Sequence, residues 1–181
     1  MKDSGETRTT EMQLKFAATY ALSCDLSPPQ YLQLPSMIIA GIQHRYNMET
    51  RTAIGQQWQK FVPLVDSIPN AIPESSFGVC WNTAADCSFD YMTGVQVSRL
   101  ESLPESMTSL TIEARQYAVF EVTGHVSTIP KTLESIWKRW VPNSGLKIAT
   151  SAPCFELYTP EFDPMTGMGG MEIWVPLEPM S

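Results

Sequence analysis

The sequence has only two histidines, His44 and His125, and its four cysteines form no Cys-x-x-Cys pair, so the ligand sets of ordinary structural zinc sites are missing. Cysteine is also far too sparse for a small secreted scaffold, and Cys24, Cys80, Cys87 and Cys154 read as reduced thiols of a cytoplasmic protein. Twelve Lys and Arg stand against nineteen Asp and Glu, giving a net charge of −7, and the basic residues are scattered. A chain of that kind is not expected to follow a phosphate backbone, so no direct nucleic-acid binding is expected. No apolar run approaches the roughly 20 residues of a membrane-spanning helix, and the opening stretch MKDSGETRTTEMQLKF lacks the apolar centre of a signal peptide. Neither histidine has a Ser or Cys nucleophile at a recognisable elbow, and GMGG at 167–170 is followed by no helix signal, which removes it as a phosphate loop. No cofactor or metal is expected.

What is present is a hydrophobic content of 43% in 181 residues, ample for one core, and an internal repeat. FDYMTG at 89–94 nearly returns as FDPMTG at 162–167, and IGQQWQKFVP (54–63) aligns with LESIWKRWVP (133–142), pairing Trp58 with Trp137 and Phe61 with Trp140. Strand-like runs surround each helix: SMIIAGI, FGVCW and GVQVSRL in the first half, QYAVFEV, CFELY and MEIWVPL in the second. Each half therefore reads β-α-β-β, over about 35–101 and 112–178.

Ile54, Trp58 and Phe61, and Ile129, Leu133, Ile136 and Trp140, make apolar stripes that require a sheet beneath them. On that reading Trp58 and Trp137 occupy equivalent core positions, and Pro63 and Pro142 stop the helices. DYMTG and DPMTGMGG read as hairpin connections ending in Gly. Residues 1–30 stand outside the duplication as an extension, a polar lead followed by a short docked helix around LKFAATYALSC, too short for a helix-turn-helix pair.

Alternation along the last two strands places Cys154, Glu156 and Tyr158 on one face of CFELY, and Glu172 with Trp174 on one face of MEIWVP. If the two strands form a hairpin with their aliphatic sides toward the helix, the other side collects two carboxylates, a Tyr and a Trp, a surface suited to a flat cation. The expected architecture is α+β: tandem pseudo-two-fold β-α-β-β repeats forming a curved antiparallel sheet, with helices on one face and a ligand groove on the other. The expected ligand-binding residues are Glu156, Tyr158, Glu172, Trp174 and Tyr91.

FDYMTGVQV, QYAVFEVTGH, IWKRWVPNSG, PCFELY and MEIWVPL, in that order, resemble the signature segments of the GyrI-like, or AraC effector-binding, domain. The resemblance covers about residues 31–179 and implies a duplicated SHS2 fold with a pocket that accepts amphipathic, frequently cationic, compounds. It puts the acidic pocket position at Glu156, with the second acid and aromatic at Glu172 and Trp174. The expected function is a stand-alone cytoplasmic protein that senses or sequesters an aromatic cation, without a membrane or nucleic-acid partner. Two rivals accompany the resemblance: hydrolysis of cyclopropane-type electrophiles, with Glu156, Glu172 and Tyr158 as catalytic residues, and a gyrase-inhibitor-like interaction with a protein partner.

Overall fold

A computed structural model describes residues 4–179, with the side chains of residues 4–9, 22, 23 and 73 outside the description, as is the very start of the polar lead. An N-terminal helix, α1 (Ser4–Ser23), precedes strands β1 (Gln30–Leu34) and β2 (Met37–Tyr46), helix α2 (Ile54–Phe61) and strands β3 (Ala71–Trp81) and β4 (Phe89–Val97). There follow β5 (Thr108–Ile112), β6 (Arg115–Val122), helix α3 (Ile129–Ser135), β7 (Cys154–Tyr158) and β8 (Met171–Pro176). No helix among the described residues is long and apolar enough to cross a membrane.

All eight strands form one antiparallel sheet in the order β1-β6-β8-β7-β3-β4-β2-β5. The two β-α-β-β units, β2-α2-β3-β4 and β6-α3-β7-β8, meet at β3 and β7, the pseudo-two-fold seam. The order also dictates curvature. β1 and β2 are joined only by Pro35 and Ser36, yet six strand spacings separate them, roughly 29 Å in a flat sheet at about 4.8 Å per step. A two-residue link reaches about 11 Å. The same holds for β5 and β6, joined by Glu113 and Ala114, so the sheet curls into a half-barrel whose two ends approach each other.

Curling gives the sheet an inside and an outside. Met37, Ile39, Phe77, Val79, Met92, Ile112, Tyr117, Val119, Phe155 and Trp174 fill the concave side. The convex side packs against the helices, through Ala40, Phe61, Ile68, Val95 and Val97 in the first half. In the second half Ala118, Phe120, Ile136, Trp140, Ile173 and Val175 do the same, together with Ala17 and Ala21 of α1. Trp140 is fully buried, stands edge-on to Phe120 at 4.8 Å, and donates its indole N–H to the Ala17 carbonyl at 2.9 Å, which ties α1 to the domain.

Three expectations need correction. The first helical stripe is centred one residue earlier than predicted, on Gln57 with Phe61, and Trp58 is only half-buried; in the second half Ile129, Ile136 and Trp140 are buried as expected, but Trp137 is 39% exposed and is not a core position. In the second half α3 passes into a π-helical turn, Ile136–Trp140, where the Val141 N–H bonds the Ile136 carbonyl five residues back. Pro142, with no N–H to give, sits in a last helical turn rather than stopping the helix at Val141. Finally, FDYMTG is not a turn but the first six residues of β4, whereas FDPMTG is the loop before β8, where the Asp163 carboxylate accepts from the Met165 N–H and the Thr166 hydroxyl. The ladder makes Thr93 the counterpart of Ile173, so the two hexapeptides are out of structural register.

The strand reading of FDYMTG has a steric reason. Gly94 pairs directly with Gly41 of β2, and a Cβ on Gly41 would lie 1.9 Å from the Thr93 carbonyl oxygen and 2.6 Å from the Gly94 Cα. The obstructing atoms are backbone, so Gly41→Ala forces β2 and β4 apart. Its expected cost is about 1–3 kcal/mol, visible as a lower urea midpoint, and an unchanged midpoint would show that the contact is not limiting.

Candidate functional site

Register, more than alternation, decides which side chains meet. β7 pairs with β8 as Phe155↔Trp174, Glu156↔Ile173 and Leu157↔Glu172. Glu156 therefore shares its face with Ile173 on the helix side, and Glu172 shares its face with Leu157 and Trp174 on the concave side. The two carboxylates expected to converge lie on opposite faces of the sheet. Glu172 accepts the Trp174 indole N–H at 2.8 Å, and Trp174, nearly buried, stacks on Phe155 at 5.2 Å. A small hollow of about 220 Å³ lies on that side, bordered by Leu34, Met37, Phe77, Leu157 and Trp174.

Glu156 instead opens onto a cavity of about 550 Å³ on the helix side of the seam. Its walls include Leu133, Trp137, Ile148, Ala149, Cys80 and Cys154, with Asn82 and Thr83 toward one end. That volume suits a drug-sized molecule. The acid is held from both halves: Tyr91 of β4 donates its O–H to Glu156 Oε2 at 3.2 Å, and Tyr158 of β7 donates to the same oxygen at 3.0 Å. The Trp58 indole N–H donates in turn to the Tyr91 oxygen at 3.1 Å, and the Trp58 ring stands edge-on to Tyr158 at 5.1 Å. Gln57 braces the same layer, accepting the Tyr46 O–H at 2.7 Å and donating to the Ile42 carbonyl at 2.8 Å.

Gly78 makes this possible. It is the direct ladder partner of Glu156 and, because five β3–β7 pairs are centred on it, also the pseudo-two-fold counterpart of Glu156. A Cβ there would stand 2.2 Å from the Tyr91 hydroxyl and 2.8 Å from Glu156 Oε2. The second half supplies the acid, and the first supplies the space for it.

Burial raises the Glu156 carboxyl above its usual range, and the two phenols, which favour the ionised form, offset this only in part. Tyr91 and Tyr158 are pushed far above the ordinary phenol range, chiefly by burial and next by the Glu156 charge, so both remain donors. Among the described residues no Lys, Arg or His lines the cavity and Glu156 enters no ion pair. Both phenols meet the same oxygen, Oε2, so neither holds Oε1. No cluster of three metal-ligating side chains occurs among the described residues.

A duplicated β-α-β-β sheet with one tyrosine-held acid at the seam is a specific arrangement, and the profile of the GyrI-like small molecule binding domain matches residues 27–178. The chain belongs to the GyrI-like family. Its relatives include the transcriptional regulator BrlR of Pseudomonas aeruginosa, 25% identical over 148 residues, a match covering 81% of this chain and 54% of BrlR. The chain thus spans about half the length of that relative. Among solved structures, SAV2435 bound to tetraphenylphosphonium superposes with a TM-score of 0.69 at 24% identity, covering 83% of this chain and 93% of SAV2435. A hydrolase from Listeria innocua has a TM-score of 0.51 at 12% identity, covering 83% of this chain and 91% of its own, which shows a shared fold.

Of the residues expected from sequence, this GyrI-like domain brings together Glu156, Tyr158 and Tyr91, with Tyr91 buried behind the acid rather than on the wall. It separates Glu172 and Trp174 from them. Trp58, Trp137 and Gly78 were assigned to core or to nothing. The repeat alignment could have singled out Trp58 and Trp137, since both lie beside a fully inward residue, Gln57 and Ile136.

Proposed function

We propose that this small-molecule-binding domain takes amphipathic aromatic cations in the helix-side cavity and acts as a cytoplasmic sensor or sequestering protein for them. The observation that carries the reading is Glu156, an acid with no cationic partner among the described residues, at the wall of an otherwise largely apolar cavity. An ionised carboxylate is costly to desolvate alone, and a lipophilic cation offsets that cost. Tyr158 and Tyr91 fix the carboxylate, and the face of Trp137 adds a cation–π attraction of about 0.5–2 kcal/mol. The tetraphenylphosphonium bound to SAV2435 supports the choice of probe. BrlR, a transcriptional regulator, suggests that occupancy is reported to a transcription apparatus.

The hydrolase reading loses support from the geometry. Glu156 and Glu172 cannot serve one substrate from opposite faces, and Tyr158 is spent as a donor to Glu156. Calorimetric titration with tetraphenylphosphonium and with neutral triphenylphosphine oxide tests the binding reading. The cation is expected to bind more tightly, and equal affinities would remove charge as the determinant. A cyclopropane-bearing alkylator incubated with the protein is expected to be recovered unchanged by mass spectrometry, whereas repeated ring opening would establish the enzyme.

A further inference from the structure

Cys80 and Cys154 face one another directly across the β3–β7 ladder, at the seam of the two halves. Both lie on the Glu156 side of the sheet, both are free thiols, and both line the cavity. Directly opposed residues of an antiparallel pair hold their Cβ atoms about 4.5–5.5 Å apart, close enough for two sulfurs to reach one atom between them. Among the described residues no third metal-ligating side chain joins them in a cluster. The pair therefore suits an element that needs two sulfurs and brings its remaining valence filled. The apolar wall beside it, Leu133, Trp137 and Ile148, suits an aryl group on that valence.

We propose that Cys80 and Cys154 form a dithiol site for trivalent aryl arsenicals that enter the cavity. In the reaction each Sγ forms one As–S bond and each As–OH bond breaks. Each departing hydroxide takes the thiol proton and leaves as water, so two thiols and one aryl-As(OH)₂ give the cyclic dithioarsenite and two waters. Arsenic stays trivalent and no oxidant is needed. Burial pushes the Cys80 thiol up to about 12, and burial with the neighbouring Cys80 and Glu156 charges pushes Cys154 well up too. Thiols held protonated are poor nucleophiles toward alkylating agents, which leaves the pair available for a reagent that carries off the protons itself. Glu156 makes no bond in this chemistry, so the site does not depend on the cation reading.

The test uses the reduced full chain with one equivalent of phenylarsine oxide, read by intact-protein mass spectrometry after desalting. A one-to-one adduct with loss of one water from the oxide, equivalent to two from its hydrate aryl-As(OH)₂, is expected, reversed by dimercaptopropanol. Cys80→Ser and Cys154→Ser each weaken it by about a hundredfold, because the second bond to a held partner is intramolecular. Cys24→Ser and Cys87→Ser leave it intact. Glu156→Gln also leaves it intact, which separates failure here from failure of cation binding. Arsenite, lacking the aryl group, is expected to bind more weakly. An adduct that persists in the Cys80→Ser/Cys154→Ser double variant, or a wild type no tighter than either single variant, would overturn the site, with circular dichroism confirming that each variant is folded.

Discussion

Glu156→Gln is expected to lower the affinity for tetraphenylphosphonium by roughly 30-fold, about 2 kcal/mol, while changing the affinity for triphenylphosphine oxide little. Gln keeps the shape and can still accept a phenol O–H, so the change removes charge and little else. The same substitution should raise the stability of the free protein at neutral pH. Burial holds the Glu156 pKa above its unfolded value, so the fold prefers the protonated acid. The stability tied to that preference is present below the ordinary carboxylate range and is lost as pH rises through the raised folded pKa. Cation binding needs the ionised acid and runs the other way, strengthening across the same window and levelling off above it. Wild type and Glu156→Gln compared by calorimetry from pH 4 upward should therefore diverge in cation affinity as pH rises. Parallel profiles would assign the pH dependence to some other group.

Trp140→Ala is expected to destabilise the domain by about 3–5 kcal/mol, the largest stability effect considered. The side chain is fully buried, packs edge-on to Phe120, and holds α1 through the Ala17 carbonyl. Its loss leaves a cavity beneath the second-half helix and removes the side-chain tie to α1. Trp140→Phe restores the aromatic that the first repeat carries at Phe61 and is expected to cost about half as much. Urea unfolding of the three proteins decides the point: equal losses for Ala and Phe would show that the indole hydrogen bond, and not the packing, dominates.

The fold was legible because repetition and period-2 alternation are local properties. SMIIAGI, CFELY and MEIWVPL announce strands by composition, and the matched 54–63 and 133–142 segments announce two equivalent helices. Within each strand the face assignments also hold: Glu156 lies with Tyr158 and Cys154, and Glu172 lies with Trp174. What alternation cannot supply is the phase of one strand against the next. The connection 159–170 between β7 and β8 is long and irregular, so its length imposes no parity, and Glu156 came to lie beside Ile173 instead of sharing a face with Glu172.

The sequence by itself therefore determined the β-α-β-β duplication, the antiparallel sheet with its helix-covered side, and the acid and tyrosine of the penultimate strand. Each is encoded in spacing along one segment. Tertiary structure decided the rest: the crossing of β1 and β5 to the far edges, which curls the sheet; the placing of Trp137 over the cavity instead of in the core; and the approach of Tyr91, Glu156 and Gly78 across the seam. Those features depend on register and on atoms meeting across the seam. A single strand or helix carries no record of either, because the same apolar pattern is satisfied by any pairing that buries it.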